Sequence, residues 1–444
     1  QIDSKITPVV NQLKSQPVAL RDRLKQALEE MERDGVIKKV DQPTEWVNSV
    51  VVIEKSGSKK LRICLDPRPL NEAIQREHYK MPTIEEITTR VAGATVFSKL
   101  DANHGYWQVP LDEESQLLTT FNTEFGRYCY KRMPFGIKSA QEVFQKRMSQ
   151  SFGDLDGVET DVDDILVWGT TAEEHDHRLK KTLQRCQEIN LTLNESKCEF
   201  GTTEVVYIGH KLTAQGVKPD ESKVDAINKM PQPNCKKDAE RLLGMVNYFA
   251  KFIPQMSMIT DPIRKVMKSD VEFKWGKQQE EAFQQIKEIL TAAPVLAYYD
   301  VKRPVTITCD ASKSGLGAVL LQEGKPVAYA SRALTDAETR YAQIEKELLA
   351  VVFGFERFNQ YTYARHVEVE TDHKPLEAIT KKPLSKAPPR LQRMLLRLQR
   401  YDFTAKYKPG KEMVLADTLS RAFIPEIKLD ASHMENEVEY HAHS

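Results

Sequence analysis

The chain has 444 residues, room for roughly three domains at about 100 to 200 residues each, and 40% of them are apolar, which excludes a disordered or fibrous chain. Sixty-four Lys plus Arg balance sixty-four Asp plus Glu, so net charge points to neither a nucleic acid nor a membrane surface, and local charge has to decide. The longest uninterrupted apolar run, Leu348 to Phe355, is far below the roughly 20 residues a spanning helix needs, so no membrane partner is expected.

Six cysteines (Cys64, Cys129, Cys186, Cys198, Cys235, Cys309) lie scattered without a CxxC pair. They encode neither a disulfide framework nor a sulfur-rich zinc site and suit a reducing compartment. The chain starts at Gln1 with no charged-then-apolar leader, as expected of a segment cut from a longer precursor.

In chain order, a helical stripe (Val18, Leu20, Leu24, Ala27, Leu28, Met31) predicts a helix ending near Gly35. Trp46 to Glu54, a Ser56-Gly57-Ser58 turn and Leu61 to Leu65 predict a β-hairpin. Period 2 puts Lys60, Arg62, Cys64 and Asp66 on the face opposite Leu61, Ile63 and Leu65. From Pro82 to about Leu212 short strands and helices alternate, as in an α+β domain with an antiparallel sheet. A mainly helical stretch follows from about Gly216 to Pro294, with Pro231, Pro233, Pro254 and Pro262 as joints. Strands at Val305 to Cys309, Ala318 to Gln322 and near Val327 to Ser331, then an apolar helix from Tyr341, predict a second, smaller α/β domain. Beyond about Pro425 the tail is polar, and His433, His441 and His443 suit a linker better than a metal site.

Asp163 and Asp164 are adjacent and lead into the apolar strand Ile165 to Trp168, while Asp101 ends the apolar strand Ala94 to Leu100. Buried like charges repel by several kcal/mol unless neutralised, and a divalent cation concentrates more charge there than a side chain can. Three acids would leave positions for substrate oxygens, as phosphoryl-transfer sites require. On spacing alone, Asp163 and Asp164 read equally as a plain hairpin turn.

Several blocks then occur in order: Leu65-Asp66-Pro67-Arg68-Pro69-Leu70-Asn71, Phe97-Ser98-Lys99-Leu100-Asp101, Met133-Pro134-Phe135-Gly136-Ile137-Lys138-Ser139-Ala140, Val162-Asp163-Asp164-Ile165-Leu166-Val167 and Tyr207-Ile208-Gly209-His210. Together they make the segment from about Pro43 to Lys211 resemble the fingers and palm of reverse transcriptases of Gypsy-type long-terminal-repeat retrotransposons. The resemblance implies that Asp101, Asp163 and Asp164 hold two metal ions, one lowering the pKa of a primer 3′-hydroxyl and the other stabilising the pyrophosphate. By the same resemblance Lys60 and Arg62 grip the incoming triphosphate, with Lys55 as an alternative for the lysine, although a solvated strand face is the plain reading of that pattern. Asp66 and Arg68 would shape the fingers loop around the template. Tyr106 would be the aromatic gate under the sugar, though an aromatic there is ordinarily core. Phe135, Gly136 and Gln141 would line the nucleotide side, and Tyr207, Gly209, His210 and Lys211 the primer-gripping hairpin. One position departs: the residue before Val162, aromatic in this motif, is Asp161, a fourth acid expected to raise its neighbours' pKa values.

A second set of acids comprises Asp310 at a strand end, Glu345 and Glu347 on the apolar helix, Asp372 after Val367 to Thr371, and Asp417 in the last helical stretch, and it suggests a second two-metal site. The blocks Cys309-Asp310-Ala311-Ser312, Glu345-Lys346-Glu347-Leu348-Leu349-Ala350, Thr371-Asp372-His373-Lys374-Pro375-Leu376 and Leu415-Ala416-Asp417-Thr418-Leu419-Ser420-Arg421 resemble the ribonuclease H domain of the same elements. That resemblance makes Asp310, Glu347, Asp372 and Asp417 the ligands. Helical spacing puts Glu347 with Ile344, Ala350 and Val351 toward the sheet and Glu345 with Lys346 nearer the exposed side. His373 reads as a proton carrier or as a turn cap.

Between Lys381 and Lys411 ten Lys or Arg residues (Lys381, Lys382, Lys386, Arg390, Arg393, Arg397, Arg400, Lys406, Lys408, Lys411) face one acid, Asp402. Arg390, Arg393, Arg397 and Arg400 at helical spacing predict a basic stripe opposite Leu391, Leu395 and Leu398, suited to a phosphate backbone. An ordinary solvated helix face is the alternative.

The expectation is an α+β and α/β multidomain protein, a right-hand polymerase (fingers, palm, thumb/connection) followed by a ribonuclease H-like domain. Its divisions are an N-terminal segment and fingers at 1–95 with parts of 115–145, palm at 96–212, thumb/connection at 213–300, ribonuclease H at 301–425 and a tail or linker at 426–444. The resemblance implies an RNA template, a DNA primer, dNTPs and an RNA/DNA hybrid as partners, with other products of the same polyprotein. It implies Mg²⁺ or Mn²⁺, two ions per active site, and a cytoplasmic setting within virus-like particles. No Asp-Thr-Gly or Asp-Ser-Gly triplet and no His/Cys zinc set occurs, so protease and integrase activities are not expected. The alternative is a polymerase-silent nucleic-acid-binding derivative, whose sequence foothold is Asp161.

Overall fold

The structure is a computed structural model and describes residues 2–13, 17–54, 61–381, 384 and 387–409. The predicted Ser56-Gly57-Ser58 turn, Lys55, Lys60, Lys382, Lys386, Lys411, Asp417 and the tail lie outside the described residues. Two compact units, Gln1–Ile208 and Gly209–Ser444, divide the chain.

In the first unit the helix spans Arg21–Arg33 after a 3-10 turn, and Leu24, Leu28 and Met31 are buried. Val18 is 87% exposed, so the apolar stripe starts later than its spacing suggested. Gly35, at φ +70°, follows the helix in a left-handed conformation that suits glycine. The helix packs against the hairpin Ser49–Glu54/Leu61–Asp66, where Ile63 and Leu65 are buried and Arg62 points outward as the period-2 pattern requires. The first strand is shorter than predicted. Val47 instead bridges Val10, and Trp46 joins Leu70 and Ala73 in a separate cluster.

Four antiparallel strands form the main sheet of this unit, in the order Val158–Asp161, Asp164–Gly169, Val96–Asp101, Glu199–Thr202. The helices Ala140–Phe152 and Ala172–Glu188 bury Phe144, Met148, Phe152 and Cys186 against Leu100, Ile165 and Val167. Alternation then leaves Lys99, Asp101 and Asp164 on the opposite face. Placing acids at the strand ends on that face is what the sequence reading required.

The second unit begins with the antiparallel pair His210–Thr213/Gly216–Pro219 and the helices Glu221–Asn228, Lys236–Tyr248 and Lys277–Thr291. Next comes a five-stranded mixed sheet in the order Lys325–Ala333, Gly315–Gln322, Val305–Ala311, His366–Thr371, Asp402–Tyr407. The first two pairings are antiparallel and the last two parallel. The apolar helix Gln343–Arg357 lies on it, and Gly354 lets the backbones approach: a Cβ there would sit 3.1 Å from the Cys309 sulfur.

Three expectations are corrected here. Lys346 is buried, not solvent-facing, and Glu345 turns back to accept from the Ala342 N–H at 3.0 Å and to pair with Arg390 at 2.8 Å. The strand Asp402–Tyr407 lies within what read as a charge run, and Lys406 and Lys408 on it and just after it pair with Glu368 and Glu370 on its neighbour. Thirdly, the arginine stripe is largely engaged. The helix Pro389–Leu398 buries Leu391, Met394, Leu395 and Leu398, and its flanking arginines reach acids of Gln343–Arg357. Arg397 binds Glu356 through two hydrogen bonds, and Arg400, past the helix end, donates to Asn359. Among the described residues Arg393 makes no ion pair.

All six cysteines are free thiols. No helix among the described residues is long and apolar enough to cross a membrane.

Two candidate active sites

Asp101 ends the central strand and stands in register with Asp164, so cross-strand pairing alone makes them neighbours. Asp163 occupies the tight turn between Asp161 and Asp164, and the Ala102 N–H donates to its carbonyl at 2.7 Å. The pair is therefore a hairpin turn and also lies beside Asp101; the two sequence readings coincide.

The preceding Val162 has φ +51°, costly for a β-branched residue. Gln145, 1% exposed, compensates: its Oε1 accepts from the Val162 N–H at 2.7 Å and its amide donates to the Thr160 carbonyl at 2.8 Å. The motif reading did not single out this glutamine. Its signal is a polar residue beside Phe144 and Met148 on the buried face of the helix Ala140–Phe152, where Glu142 is the other buried polar side chain.

Burial, then Asp101 and Asp164, raise the Asp163 pKa to about 6, and its Oδ1 has no hydrogen-bond partner. The other two acids are held by lysines: Lys99 meets Asp164 at 3.1 Å, and Lys197 meets the two Asp101 oxygens at 3.1 and 3.3 Å. Charge compensation is thus present on the acidic face, from lysines the sequence motifs did not nominate. Asp161 is in register with Asp164, and burial, Asp164 and Glu159 raise its pKa, the mutual repulsion expected of a fourth acid.

Gly105 is the second residue the motifs left out. A Cβ there would lie 1.8 Å from Asp163 Oδ1, so no side chain fits without moving that carboxylate. Gly105→Ala is expected to lower primer extension on the order of 100-fold, the cost of misplacing a reacting group by about 1 Å, while cleavage of the RNA strand of a hybrid stays within about twofold. Rates on a labelled primer and a labelled hybrid check this.

The predicted nucleotide side is partly assembled. The Arg62 guanidinium lies 4.8 Å from the Phe135 ring centroid, and Phe135 packs at 5.1 Å against Tyr106. Tyr106 is half-buried, and its pKa is raised by burial, then by Asp163. Gly136 has φ +101°, and its carbonyl accepts from Asn71 at 2.8 Å. Gln141 is exposed on the first turn of its helix. Arg68 grips both Asp66 oxygens at 2.8 Å, and its side chain is otherwise open to solvent.

Tyr207 is not available to a primer: it is 0% exposed, and its hydroxyl lies 3.4 and 3.3 Å from the carbonyls of Glu159 and Asp164. Its ring braces the acidic hairpin from below. In the second unit Gly209 has φ +64°, Lys211 pairs with Glu221 at 2.8 Å, and His210 is buried, with ring centroids 5.3 Å from Tyr248 and 5.8 Å from Phe252. His210 is thus a packing residue of that unit.

The second acidic cluster is tighter. Asp310, Glu347 and Asp372 offer ligand atoms within 4.8 Å of one another, the one such group among the described residues. Asp310 comes from the central strand, Asp372 follows the parallel neighbour, and Glu347 comes from the helix that packs on the central strand. Glu347 is 3% exposed; Oε1 accepts from Gln343, and Oε2 has no partner. Burial, with Asp310 and Asp372 adding to it, raises its pKa to about 8. The His373 N–H donates to Thr371 Oγ1 at 3.2 Å, a turn contact. Oxygen-only donors with a buried unpartnered carboxylate oxygen fit a hard divalent cation.

Residues 53–212 match the family "Reverse transcriptase (RNA-dependent DNA polymerase)", and residues 275–369 match "RNase H-like domain found in reverse transcriptase". The chain is 36% identical over 381 residues to the retrovirus-related Pol polyprotein from transposon 412 of Drosophila melanogaster, covering 84% of this chain and 30% of that protein. It is 31% identical over 415 residues to the transposon Tf2-3 polyprotein of Schizosaccharomyces pombe, covering 91% of this chain and 30% of that protein. The chain thus spans about a third of the length of these curated relatives. A solved foamy viral protease-reverse transcriptase in complex with double-stranded DNA shares the fold at TM-score 0.81 and 22% identity, over 92% of this chain and 72% of that one. A second, in complex with an RNA/DNA hybrid, matches at TM-score 0.77 and 22% identity, over 92% and 56%.

A polymerase domain with a strand-end acid trio, followed by an RNase H-like domain with its own acids, defines the class of reverse transcriptases carrying ribonuclease H. Within that class, the curated relatives this chain resembles are Pol polyproteins of Gypsy-type transposons.

Proposed function

We propose that the chain copies RNA and DNA templates into DNA from a primer and hydrolyses the RNA strand of the resulting hybrid. The observation that carries this reading is the pair of separate carboxylate clusters, each with a buried, partnerless oxygen, on Asp163 and on Glu347. Asp101, Asp163 and Asp164 would hold two Mg²⁺ or Mn²⁺ ions in the palm; Asp310, Glu347 and Asp372, with Asp417, would hold two in the second site. When bound, such ions supply the positive charge that lowers the pKa of the attacking hydroxyl or water and neutralises the leaving oxygen.

The chain's own groups do the rest. Arg62, over the Phe135 ring, would grip the triphosphate of a dNTP through two hydrogen bonds, and Lys60 or Lys55 is assigned the second cation by the resemblance alone. Tyr106, backed by Phe135 and Phe144, offers a flat apolar wall to the sugar. Asp66 and Arg68 shape the template side, and Arg393 is the helix cation best able to meet a hybrid's phosphates. Exposed ion pairs such as Arg397 with Glu356 contribute little, so phosphate could recruit those arginines as well. The division into fingers, palm, thumb/connection and ribonuclease H, the link to other products of one polyprotein, and a location within virus-like particles complete the proposal.

The test is extension of a labelled DNA primer on a separately labelled RNA template in Mg²⁺. Both extension and RNA cleavage are expected; absence of both would refute the reading. A second reading, a polymerase-silent derivative keeping the ribonuclease, rests on Asp161 and its mutual repulsion with Asp164. Cleavage without extension, with extension recovered in Asp161→Tyr, would favour it. On the main reading wild-type extension is robust, and Asp161→Tyr raises the Mg²⁺ or Mn²⁺ concentration at half-maximal rate by about threefold, since a negative charge beside the proposed cation site is removed.

A further inference from the structure

Asp101 stands opposite Asp164 as a non-hydrogen-bonded pair, so its peptide N–H and C=O both point to the other edge, where their partners are found. There the neighbouring strand Glu199–Thr202 has already ended. The register is Lys99 with Glu199, an irregularity interrupts the ladder, and residues Glu195–Lys197 form a 3-10 turn. Asp101 is 9% exposed, and a buried N–H with no ladder partner costs about 1–3 kcal/mol.

The segment 194–198 fills the gap at three points. The Asn194 N–H donates to the Asp101 carbonyl at 2.8 Å, Cys198 Sγ accepts from the Asp101 N–H at 3.5 Å, and Lys197 meets the carboxylate. The thiol is the substitute for the missing backbone acceptor. Cys198 is half-buried and packs against the palm core, whose buried members include Cys186 and Phe144, so its sulfur is held from behind. A side chain without an acceptor would leave that N–H unpaired beside the carboxylate proposed to bind metal.

We propose that Cys198 is a positioning residue for polymerisation: its sulfur holds the Asp101 backbone where the ladder stops and thereby sets the direction of the Asp101 carboxylate. This rests on the polymerase reading above. The role needs an acceptor, not a thiol, so serine should replace it and alanine should not.

The experiment uses the full chain as wild type, Cys198→Ala and Cys198→Ser. Deuterium exchange of the peptide covering Phe97 to Asn103 reports the hydrogen bond without reference to activity. It is expected to be about tenfold faster in Cys198→Ala and restored in Cys198→Ser. The Mg²⁺ concentration for half-maximal primer extension is expected to rise about fivefold in Cys198→Ala and return in Cys198→Ser, while RNA cleavage by the same molecules stays within about twofold. Unchanged exchange in Cys198→Ala, failure of serine to restore it, or parallel loss of extension and cleavage would each overturn the proposal. If the wild type extends no primer, the polymerase reading fails, and the exchange measurement still decides the Asp101 contact.

Discussion

Replacing Asp163 by Asn is expected to reduce primer extension on the order of 1000-fold while leaving RNA cleavage within about twofold. Asp163 is the member of its cluster with an unpartnered oxygen, where Lys99 and Lys197 already meet Asp164 and Asp101. An amide there keeps the size of the group but presents a neutral oxygen, and the several kcal/mol of charge attraction to a divalent ion are lost. The acid's pKa of about 6 sets the accompanying pH dependence. Ionisation is needed to hold a cation, so extension at limiting Mg²⁺ should rise with pH between about 5 and 7. Single-turnover extension by wild type and variant, at several pH values, measures both effects. An Asp163→Asn rate within tenfold of wild type would remove this residue from the catalytic set.

Glu347→Gln is expected to do the converse: RNA cleavage falls on the order of 1000-fold and extension is kept. It also carries a stability signature. The folded-state pKa, about 8, lies above the ordinary carboxylate value. The fold therefore favours the protonated acid, and that contribution is fully present below the unfolded pKa and is lost as pH rises through about 8. Without metal, Glu347→Gln should match wild type near pH 5 and exceed it near pH 9, by on the order of 3 kcal/mol or several degrees in Tm. Added Mg²⁺ should reverse the ranking, because it stabilises the ionised wild type alone. Thermal melts at the two pH values, with and without Mg²⁺, test this. A Tm difference that does not change with pH would show that Glu347 is already ionised in the folded protein.

Gly105 and Gln145 explain how far sequence reasoning could go at the first site. The motif named the acids because acids are chemistry-bearing residues; it passed over the glycine and the glutamine because their importance is a matter of distance. Gly105 matters because a Cβ would overlap Asp163, and Gln145 because Val162 needs its N–H held in a strained turn. Lys99 and Lys197 were invisible for the same reason: each is one lysine among many until the fold sets it beside an acid. The basic segment shows what local charge leaves out. Its ten cations lie close together in sequence, but Arg390, Arg397, Lys406 and Lys408 have partners at Glu345, Glu356, Glu368 and Glu370, supplied by elements far away along the chain. Local charge counted the cations and could not count the acids folded onto them. Tyr207, which the resemblance placed in the primer-gripping hairpin, is fully buried and supports the acidic hairpin instead.

What the sequence determined by itself was the kind of protein and the identity of its acids. Side-chain periodicity marks the strands that carry Asp101 and Asp164, and the ordered motif blocks mark the family; both are local properties of the chain. The tertiary structure alone decided which carboxylate is left without a partner, which lysines neutralise the others, and which arginines remain unpaired. Those are questions of desolvation and of distances below about 4 Å, and they depend on residues brought together from positions about 40 to 100 apart in sequence.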